Sequence, residues 1–273
     1  MKPLKIIKGI LILGLVAFGV YFTFGMEEEI QTTYYYLESD KITAPIRIAL
    51  VSDTHSETFG EDNKELYERI QKEEVDLICM PGDILDDKKD PEKGYKSVKD
   101  FSTLAPTFYT TGNHEIRRKE NKEIQNRMES MRIHVLQGEW KEIEIKGQKL
   151  LIGGMDDALL EQEHLEQVET LKEKQGNSFS LLLSHKPHLF DDYRSIPFDV
   201  VLCGHAHGGQ WRIPHLLENG VTAPGQGFFP KYTKGVHYLE EGKKMVIGRG
   251  LASHSSMIPR LYNPPELVIL EIH

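Results

Sequence analysis

Cysteine is scarce in this chain, with Cys79 and Cys203 the only two among 273 residues. A disulfide-stapled scaffold is therefore excluded, even for an exported protein. Both close apolar runs, Val75-Asp76-Leu77-Ile78-Cys79 and Val200-Val201-Leu202-Cys203, where a buried free thiol is the plain reading. A bond between them would need neighbouring Cα atoms, which sequence does not reveal. An excess of positive charge is also lacking: 33 Lys and Arg stand against 42 Asp and Glu, a formal net charge of -9. Proteins that grip nucleic-acid phosphates gather Lys and Arg on one face. Here most lysines are scattered among glutamates, so no nucleic-acid partner is expected. The compact basic run Arg117-Arg118-Lys119 reads first as a solvated helix face, and second as an attractor of anions. Internal repeats and low-complexity tracts are absent. With 39% apolar residues, the chain has enough for one large core or two modest ones, and one domain behind an N-terminal appendage is expected.

Long apolar runs are missing except at the start. Lys2, Lys5 and Lys8 precede an apolar run from Gly9 to Phe24, and Glu27-Glu28-Glu29 follow. At about 1.5 Å per residue this run falls short of a hydrocarbon layer of roughly 30 Å, and reaches it only if Ile6 and Ile7 join while Lys8 snorkels. The preceding positive charge places the N-terminus in the cytoplasm and the rest outside. A cleaved signal peptide is the competing reading, which would make the protein secreted, but Thr23-Phe24-Gly25 is a poor cleavage pattern. Residues 1–25 are thus expected to be a membrane anchor or signal sequence, residues 26–45 a linker and first strand region, and residues 46–273 the main domain.

That domain alternates short strands with charged helices. Strands are expected at Ile46 to Ser52, Val75 to Met80, Thr107 to Thr111, Leu150 to Gly154, Ser180 to Ser184 and Asp199 to Cys203. Helices are expected near Asn63 to Glu74, Lys96 to Leu104, Glu115 to Met131 and Leu159 to Lys174. Farther on, Gly235 to Glu240, Lys244 to Ile247 and Glu266 to Ile272 read as strands, with Glu241-Gly242 as a hairpin turn. The layout is α/β, accommodated by two sheets packed face to face with helices outside.

Polar motifs fall where the apolar strands end: Asp53-Thr54-His55, Gly82-Asp83-Ile84-Leu85-Asp86, Gly112-Asn113-His114-Glu115, Ser184-His185 and Gly204-His205-Ala206-His207. In open α/β sheets ligands bind beyond the carboxyl ends of strands, so these five motifs are expected to converge. Asp53 and His55 sit two residues apart, which on an extended segment points both the same way; His205 and His207 repeat that spacing. Taken singly, each His or Asp reads as an ordinary loop residue, and it is the joint pattern that carries weight. Asp86 and Glu115 are expected to brace histidines or loop backbone rather than bind metal. Asp156-Asp157 are expected either near the site or capping the next helix. His134, His164, His215 and His273 belong to no ligand-spaced pair. His188 reads as a loop residue, His237 as a strand residue, and His254 as a residue with some chance of lining the pocket.

This ordered set resembles the calcineurin-like metallophosphoesterase superfamily. Residues about 46 to 273 further resemble its membrane-associated bacterial branch, through Gly204-His205-Ala206-His207-Gly208-Gly209-Gln210, Pro214 and Asn263-Pro264-Pro265-Glu266. Ala206 stands where that branch usually has Thr. The resemblance implies a two-sheet sandwich flanked by helices and two divalent metal ions. Asp53, His55 and His207 would hold one, Asn113, His185 and His205 the other, with Asp83 bridging. His114, beside a ligand but not one itself, is expected as the catalytic residue that donates a proton to the leaving oxygen or stabilises it, the alternative being a histidine that only orients Asn113. It implies hydrolysis of a phosphodiester, phosphomonoester or pyrophosphate by a metal-bridging hydroxide. The anchor suggests a site at the outer membrane face and a lipid-linked substrate, although tethering equally suits soluble esters. Mixed Asp, Asn and His ligands suit Mn, Fe or Zn, and the oligomeric state stays open. A non-catalytic metal-binding scaffold is the alternative from another class. A protein Ser/Thr phosphatase ranks lower, because Asp87-Lys88-Lys89 stand where those enzymes carry Arg-Gly.

Overall fold

The structure, a computed structural model, describes residues 3–26, 28–157, 161–173, 176–253 and 259–273. The central strands of residues 46–273 are apolar along nearly their whole length rather than alternating, and the architecture explains why. One six-stranded sheet runs β1 (Gln31–Leu37), β14 (Glu266–Ile272), β2 (Ile46–Leu50), β3 (Leu77–Pro81), β4 (Thr107–Thr110) and β5 (Ile133–Val135). The other runs β12 (Gly235–Tyr238), β13 (Lys244–Ile247), β9 (Val200–Cys203), β8 (Phe179–Ser184), β7 (Gln148–Met155) and β6 (Glu139–Ile145). Their facing sides share one core: Ile48, Leu50, Leu77, Cys79 and Phe108 from the first sheet meet Ile152, Leu181, Leu183, Leu202 and Val246 from the second. Alternate residues on the same strands, such as Ala49, Ile78 and Met80, point outward into a second core, and Leu182, Val201 and Ile247 into a third. Helices cover both outer faces, so in the central strands neither side meets water and both must be apolar.

On the outside of the first sheet lie α2 (Lys64–Lys72), α3 (Pro91–Phe101), α4 (Asn113–Arg118) and α5 (Asn121–Ser130). Leu66, Ile70, Val98, Phe101, Ile124 and Met128 from these helices enter its core. On the second sheet lie α6 (Glu161–Lys172) and α7 (Phe190–Ser195), supplying Val168, Leu171 and Tyr193. The first helix, α1 (Pro3–Gly25), extends from the domain: its apolar Ile7–Gly25 stretch has a mean hydropathy of 2.0 and is exposed up to its last turn.

What positions the site is strand direction. Strands β2 to β5 are mutually parallel, as are β7, β8, β9 and β13. The carboxyl ends of β2, β3, β4, β8 and β9 therefore deliver the five polar motifs to one edge of the sandwich.

Several elements depart from the sequence expectation. The long helix expected over Glu115 to Met131 is two, α4 and α5, because Lys119 turns left-handed at φ 61° and ends the first. The helix expected from Lys96 begins earlier, at Pro91, where Asp90 accepts the Glu92 N–H as its cap and Pro91 takes the first helical position. Strands β5 and β6 were not anticipated; β6 sits at the sheet edge, where Trp140, Ile143 and Ile145 alternate with charged residues. Strand β1 falls in the segment expected to hold a first strand, and pairs in parallel with β14. Leu159 and Lys174, the expected ends of the fourth helix, lie outside the described residues.

The shared core predicts its own sensitivity. Phe108 is fully buried between the sheets, so Phe108→Ala should cost about 3 to 5 kcal/mol. A lowered denaturant midpoint with unchanged slope checks this.

Candidate metal centre

Each of the five loops leaves its strand within three residues of a polar group. Asp53 follows β2 by three residues, Asp83 follows β3 across Gly82, Asn113 opens α4, His185 directly follows β8, and His205 and His207 follow β9. Asp53, His55, Asp83, His185, His205 and His207 are all less than a tenth exposed.

Their side chains form two neighbouring clusters. In the first, Asp53, His55 and His207 each turn a ligand atom to within 4.8 Å of the others. His55 Nε2 lies 3.4 Å from His207 Nε2, and His207 Nε2 lies 3.6 Å from Asp53 Oδ1. In the second, Asp83, His185 and His205 do the same, with His185 Nε2 3.1 Å from Asp83 Oδ2 and 3.0 Å from His205 Nδ1. Asp83 stands between them, since its Oδ2 is also 3.8 Å from His55 Nε2.

The backbone needed for this is unusual. Asp53, His55, Asp83, His205 and His207 all have positive φ, between 45° and 69°. The expectation that Asp53 and His55 share a face of an extended segment is thereby corrected: their common direction comes from left-handed turns, and His207 likewise sits in a short 3-10 turn. Such conformations are disfavoured for non-glycine residues and persist where surrounding structure over-determines them. That structure is visible. Glu115 accepts the backbone N–H groups of Asp83 at 3.0 Å, Leu85 at 2.7 Å and Gly112 at 2.8 Å, clamping the loop after β3 to the loop after β4. Burial, with the Asp83 charge adding to it, pushes the Glu115 carboxyl up to about 7. Glycine is required where loops touch the carboxylates. An added Cβ at Gly112 would come within 2.3 Å of Asp83 Oδ1, and one at Gly204 within 2.3 Å of Asp53 Oδ2.

The donor set fits cations. His185 Nδ1 donates to the Pro81 carbonyl at 2.8 Å, which turns Nε2 toward Asp83 and His205, where a cation displacing its proton would bind. Burial opposes charge on His185, yet Asp83, then Asp53, lift it to about 10. Burial likewise opposes charge on Asp83, and the His185 imidazole nevertheless holds it well below the usual carboxylate range. The site thus demands positive charge beside Asp83. His205 and His207 cannot supply it, because burial, reinforced by neighbouring imidazoles, pushes both well below the ordinary histidine value. Asn113 adds a second sign. Turned one way, its amide would donate to His205 Nδ1 at 2.9 Å and accept from Arg117 at 2.6 and 2.8 Å. Turned the other way, its oxygen meets the His205 nitrogen, two acceptors face to face, an arrangement that a cation between them resolves.

His114 stands at the rim, half-buried, with its ring edge against His55 at 4.4 Å between centroids. Its Nε2 is 3.9 Å from Asp83 Oδ2 and its Nδ1 is 2.8 Å from Asp87 Oδ1. A third grouping, His55, Asp86 and His114, is a brace by its contacts. Asp86 accepts the N–H groups of Lys88 and Lys89 while its other oxygen lies 3.4 Å from His55 Nδ1, behind the ligand nitrogen.

Other residues singled out in the sequence settle as follows. Asp157 pairs with Lys186, next to His185. His188 stacks 5.5 Å from the His205 ring. Arg117 and Arg118 are less a solvated basic face than ties, to the Asp87 carboxylate and the Asp86 carbonyl. Cys79 and Cys203 are buried free thiols. His134, His164, His237 and His273 contact Lys141, Asp192, the Lys234 carbonyl and Glu271 respectively, and His215 is exposed. His254 lies outside the described residues. Two neighbours of His207 escaped the sequence reading. Arg260, 5% exposed, places Nη2 3.3 Å from His207 Nδ1, and Asn263 donates to the His207 carbonyl at 2.7 Å. Only the Asn-Pro-Pro-Glu motif flagged the second, and no spacing signal marked the first.

Comparison with known proteins agrees with this geometry. The model of the calcineurin-like phosphoesterase family matches residues 46–209, from β2 through the His205–His207 turn. A Bacillus subtilis (strain 168) protein called uncharacterized metallophosphoesterase YkoQ is 29% identical over 236 residues, covering 83% of each chain. Phosphodiesterase YaeI of Escherichia coli (strain K12) is 27% identical over 239 residues, covering 84% of this chain and 83% of its own. Among solved structures, the Haemophilus influenzae NAD nucleotidase (NadN) superposes with a TM-score of 0.50 at 15% identity, over 77% of this chain and 46% of that one, a likeness of fold. Because the family match spans more than half of the sequence and takes in every cluster residue, the chain belongs to the calcineurin-like phosphoesterases and is a metal-dependent phosphoric ester hydrolase.

Proposed function

We propose that this chain hydrolyses phosphoesters with a dinuclear metal centre, as a member of the membrane-associated branch held at the outer face of a membrane. The observation that carries the reading is Asp83 Oδ2, flanked by a cluster of Asp53, His55 and His207 on one side and a cluster of His185 and His205 on the other. In this reading the first cluster would hold one divalent cation, His185, His205 and Asn113 would hold a second, and Asp83 would serve both. Mn, Fe and Zn all suit such oxygen and nitrogen donors. Two bound cations supply charge for the phosphoryl oxygens and an acidified water for attack on phosphorus.

The chain's own groups do the rest. Glu115 and the two glycines hold Asp83 and Asp53 in place without competing for cations. His114, unassigned to either cation and edged against His55 beside Asp83, serves the leaving oxygen. A protonated His114 ring can donate from Nδ1 to Asp87 and still present an Nε2–H on the side of Asp83, where a departing oxygen would lie. Burial, with the neighbouring His55 and Arg117, holds the His114 pKa below the ordinary histidine value, while Asp83 and Asp87 pull against it. Phosphodiesters, phosphomonoesters and pyrophosphates all end in an oxyanion leaving group that this donor can serve.

For the anchor, the support is α1. Its apolar stretch of 19 residues spans about 28 Å as a helix, and its last turn is docked on the domain rather than detached. Tyr262 N–H donates to the Gly25 carbonyl at 2.6 Å, and Tyr21 hydroxyl to the Arg212 carbonyl at 2.5 Å. Those contacts favour an uncleaved anchor, residues 1–25, ahead of the hydrolase domain, residues 46–273.

Chelation should abolish hydrolysis and added divalent metal should restore it; turnover that survives a chelator with no metal left by elemental analysis contradicts the reading. Asp83→Asn should lose bound metal and activity together while staying folded by circular dichroism. His114→Ala should keep both metals and lose roughly 10² to 10⁴ in rate on alkyl esters, with a smaller loss on esters of acidic phenols. Equal losses on both ester classes would remove the leaving-group role.

A further inference from the structure

Outside α1, few large apolar side chains among the described residues are left in solvent, and they are not scattered evenly. Ile213, Leu216, Phe228 and Phe229 lie in a single loop region between His207 and β12; the others are Met26, Leu165 and three tyrosines. Leu216, Phe228 and Phe229 are 79%, 77% and 73% exposed. No core claims them, although the short hairpin of β10 (Thr222–Ala223) and β11 (Gly227–Phe228) holds the phenylalanines in a defined place. Phe229 sits at φ 55° with its N–H donated to the Val221 carbonyl at 2.8 Å. A bulky residue held left-handed while its ring faces water is a local cost that packing does not repay.

The loop has two ends of consequence. At one, Ile213 adjoins Arg212, whose carbonyl accepts the Tyr21 hydroxyl in the last turn of α1, and Tyr21 stacks on Tyr262 at 4.6 Å. At the other, Gly225 packs so closely on His188 that a Cβ there would lie 2.2 Å from its Cε1, and His188 stacks on His205. The same loop therefore runs from the point where the apolar helix ends to the edge of the metal cluster. The exposed Lys231 follows the phenylalanines, matching the mixture of apolar rings and positive charge that settles in a bilayer interface.

We propose that residues 213–229 form a membrane-surface contact, seated in the headgroup layer of the bilayer that α1 spans, which presents the metal centre to phosphoesters carrying acyl chains. This rests on the anchor reading above and narrows the substrate class to one presented at a lipid surface. Continuity with α1 selects a bilayer over a protein as the occupant. A helix that crosses the apolar layer fixes the level of its surface at Tyr21 to Gly25, and Ile213 sits beside that turn.

The test uses the full chain reconstituted in vesicles of phosphatidylcholine and phosphatidylglycerol. Cys79 and Cys203 are fully buried, so single thiols introduced by Phe228→Cys, Phe18→Cys and Tyr238→Cys take an environment-sensitive fluorophore selectively. Labels at 18 and 228 should be quenched by lipid-borne nitroxides, and the label at 238 only by an aqueous quencher. A label at 228 that answers only to the aqueous quencher, while that at 18 answers to lipid, overturns the loop contact and leaves the anchor standing. A label at 228 shielded from both quenchers means a protein covers the loop, and overturns it too. If neither 18 nor 228 meets lipid, the anchor reading fails and takes this inference with it. In the same vesicles, Phe228→Ser with Phe229→Ser should lower hydrolysis of a membrane-embedded phospholipid ester about tenfold or more, as expected from two aromatic anchors removed, and leave a soluble aryl phosphoester unchanged. Equal retention on both substrates contradicts the proposal.

Discussion

The arrangement of this molecule turns on two buried carboxylates, Asp53 and Asp83, set side by side among histidines at one edge of the sandwich. Neither is more than 1% exposed, and four imidazoles surround them. Isolated buried anions are expensive, and proteins either pair them, neutralise them or give them to metal. Here the neighbours are chosen for the last outcome. Burial holds His205 and His207 well below the ordinary histidine value, His185 donates its Nδ1 proton to a carbonyl, and Glu115 accepts three backbone N–H groups. The left-handed turns at Asp53, His55, Asp83, His205 and His207 then make sense as strain held for function.

The sandwich exists, in effect, to bring those turns together. Parallel strands from both sheets end at one edge, and their apolar character on both faces lets each be pinned from two sides. Loops that leave so rigid a base can afford poor backbone geometry. Gly112 and Gly204 mark where the two halves of the site touch through a carboxylate, with no room for even a methyl group.

Much of this was legible in the sequence because buried parallel strands announce themselves as short apolar runs, and because Asp, Asn and His at their ends have no structural reason to recur five times. The two-sheet layout, the strands at Lys244 to Ile247 and Glu266 to Ile272, and the convergence of the five motifs followed from that signal. What escaped reading had weaker signatures. Strand β6 carries charge on its exposed face, and the break at Lys119 depends on a backbone conformation that no Gly or Pro marks. Arg260 reaches His207 from 53 residues away, a contact visible only in three dimensions. The shared direction of Asp53 and His55 was anticipated, but from extended backbone rather than from the turns that produce it.

The central claim is that the grouped carboxylates and imidazoles hold two metal ions on either side of Asp83. Anomalous X-ray diffraction from crystals grown with manganese tests it most directly. The account predicts two anomalous peaks sharing Asp83, one among Asp53, His55 and His207 and the other among Asn113, His185 and His205. A single peak, or peaks that leave Asp83 uncoordinated, would contradict it.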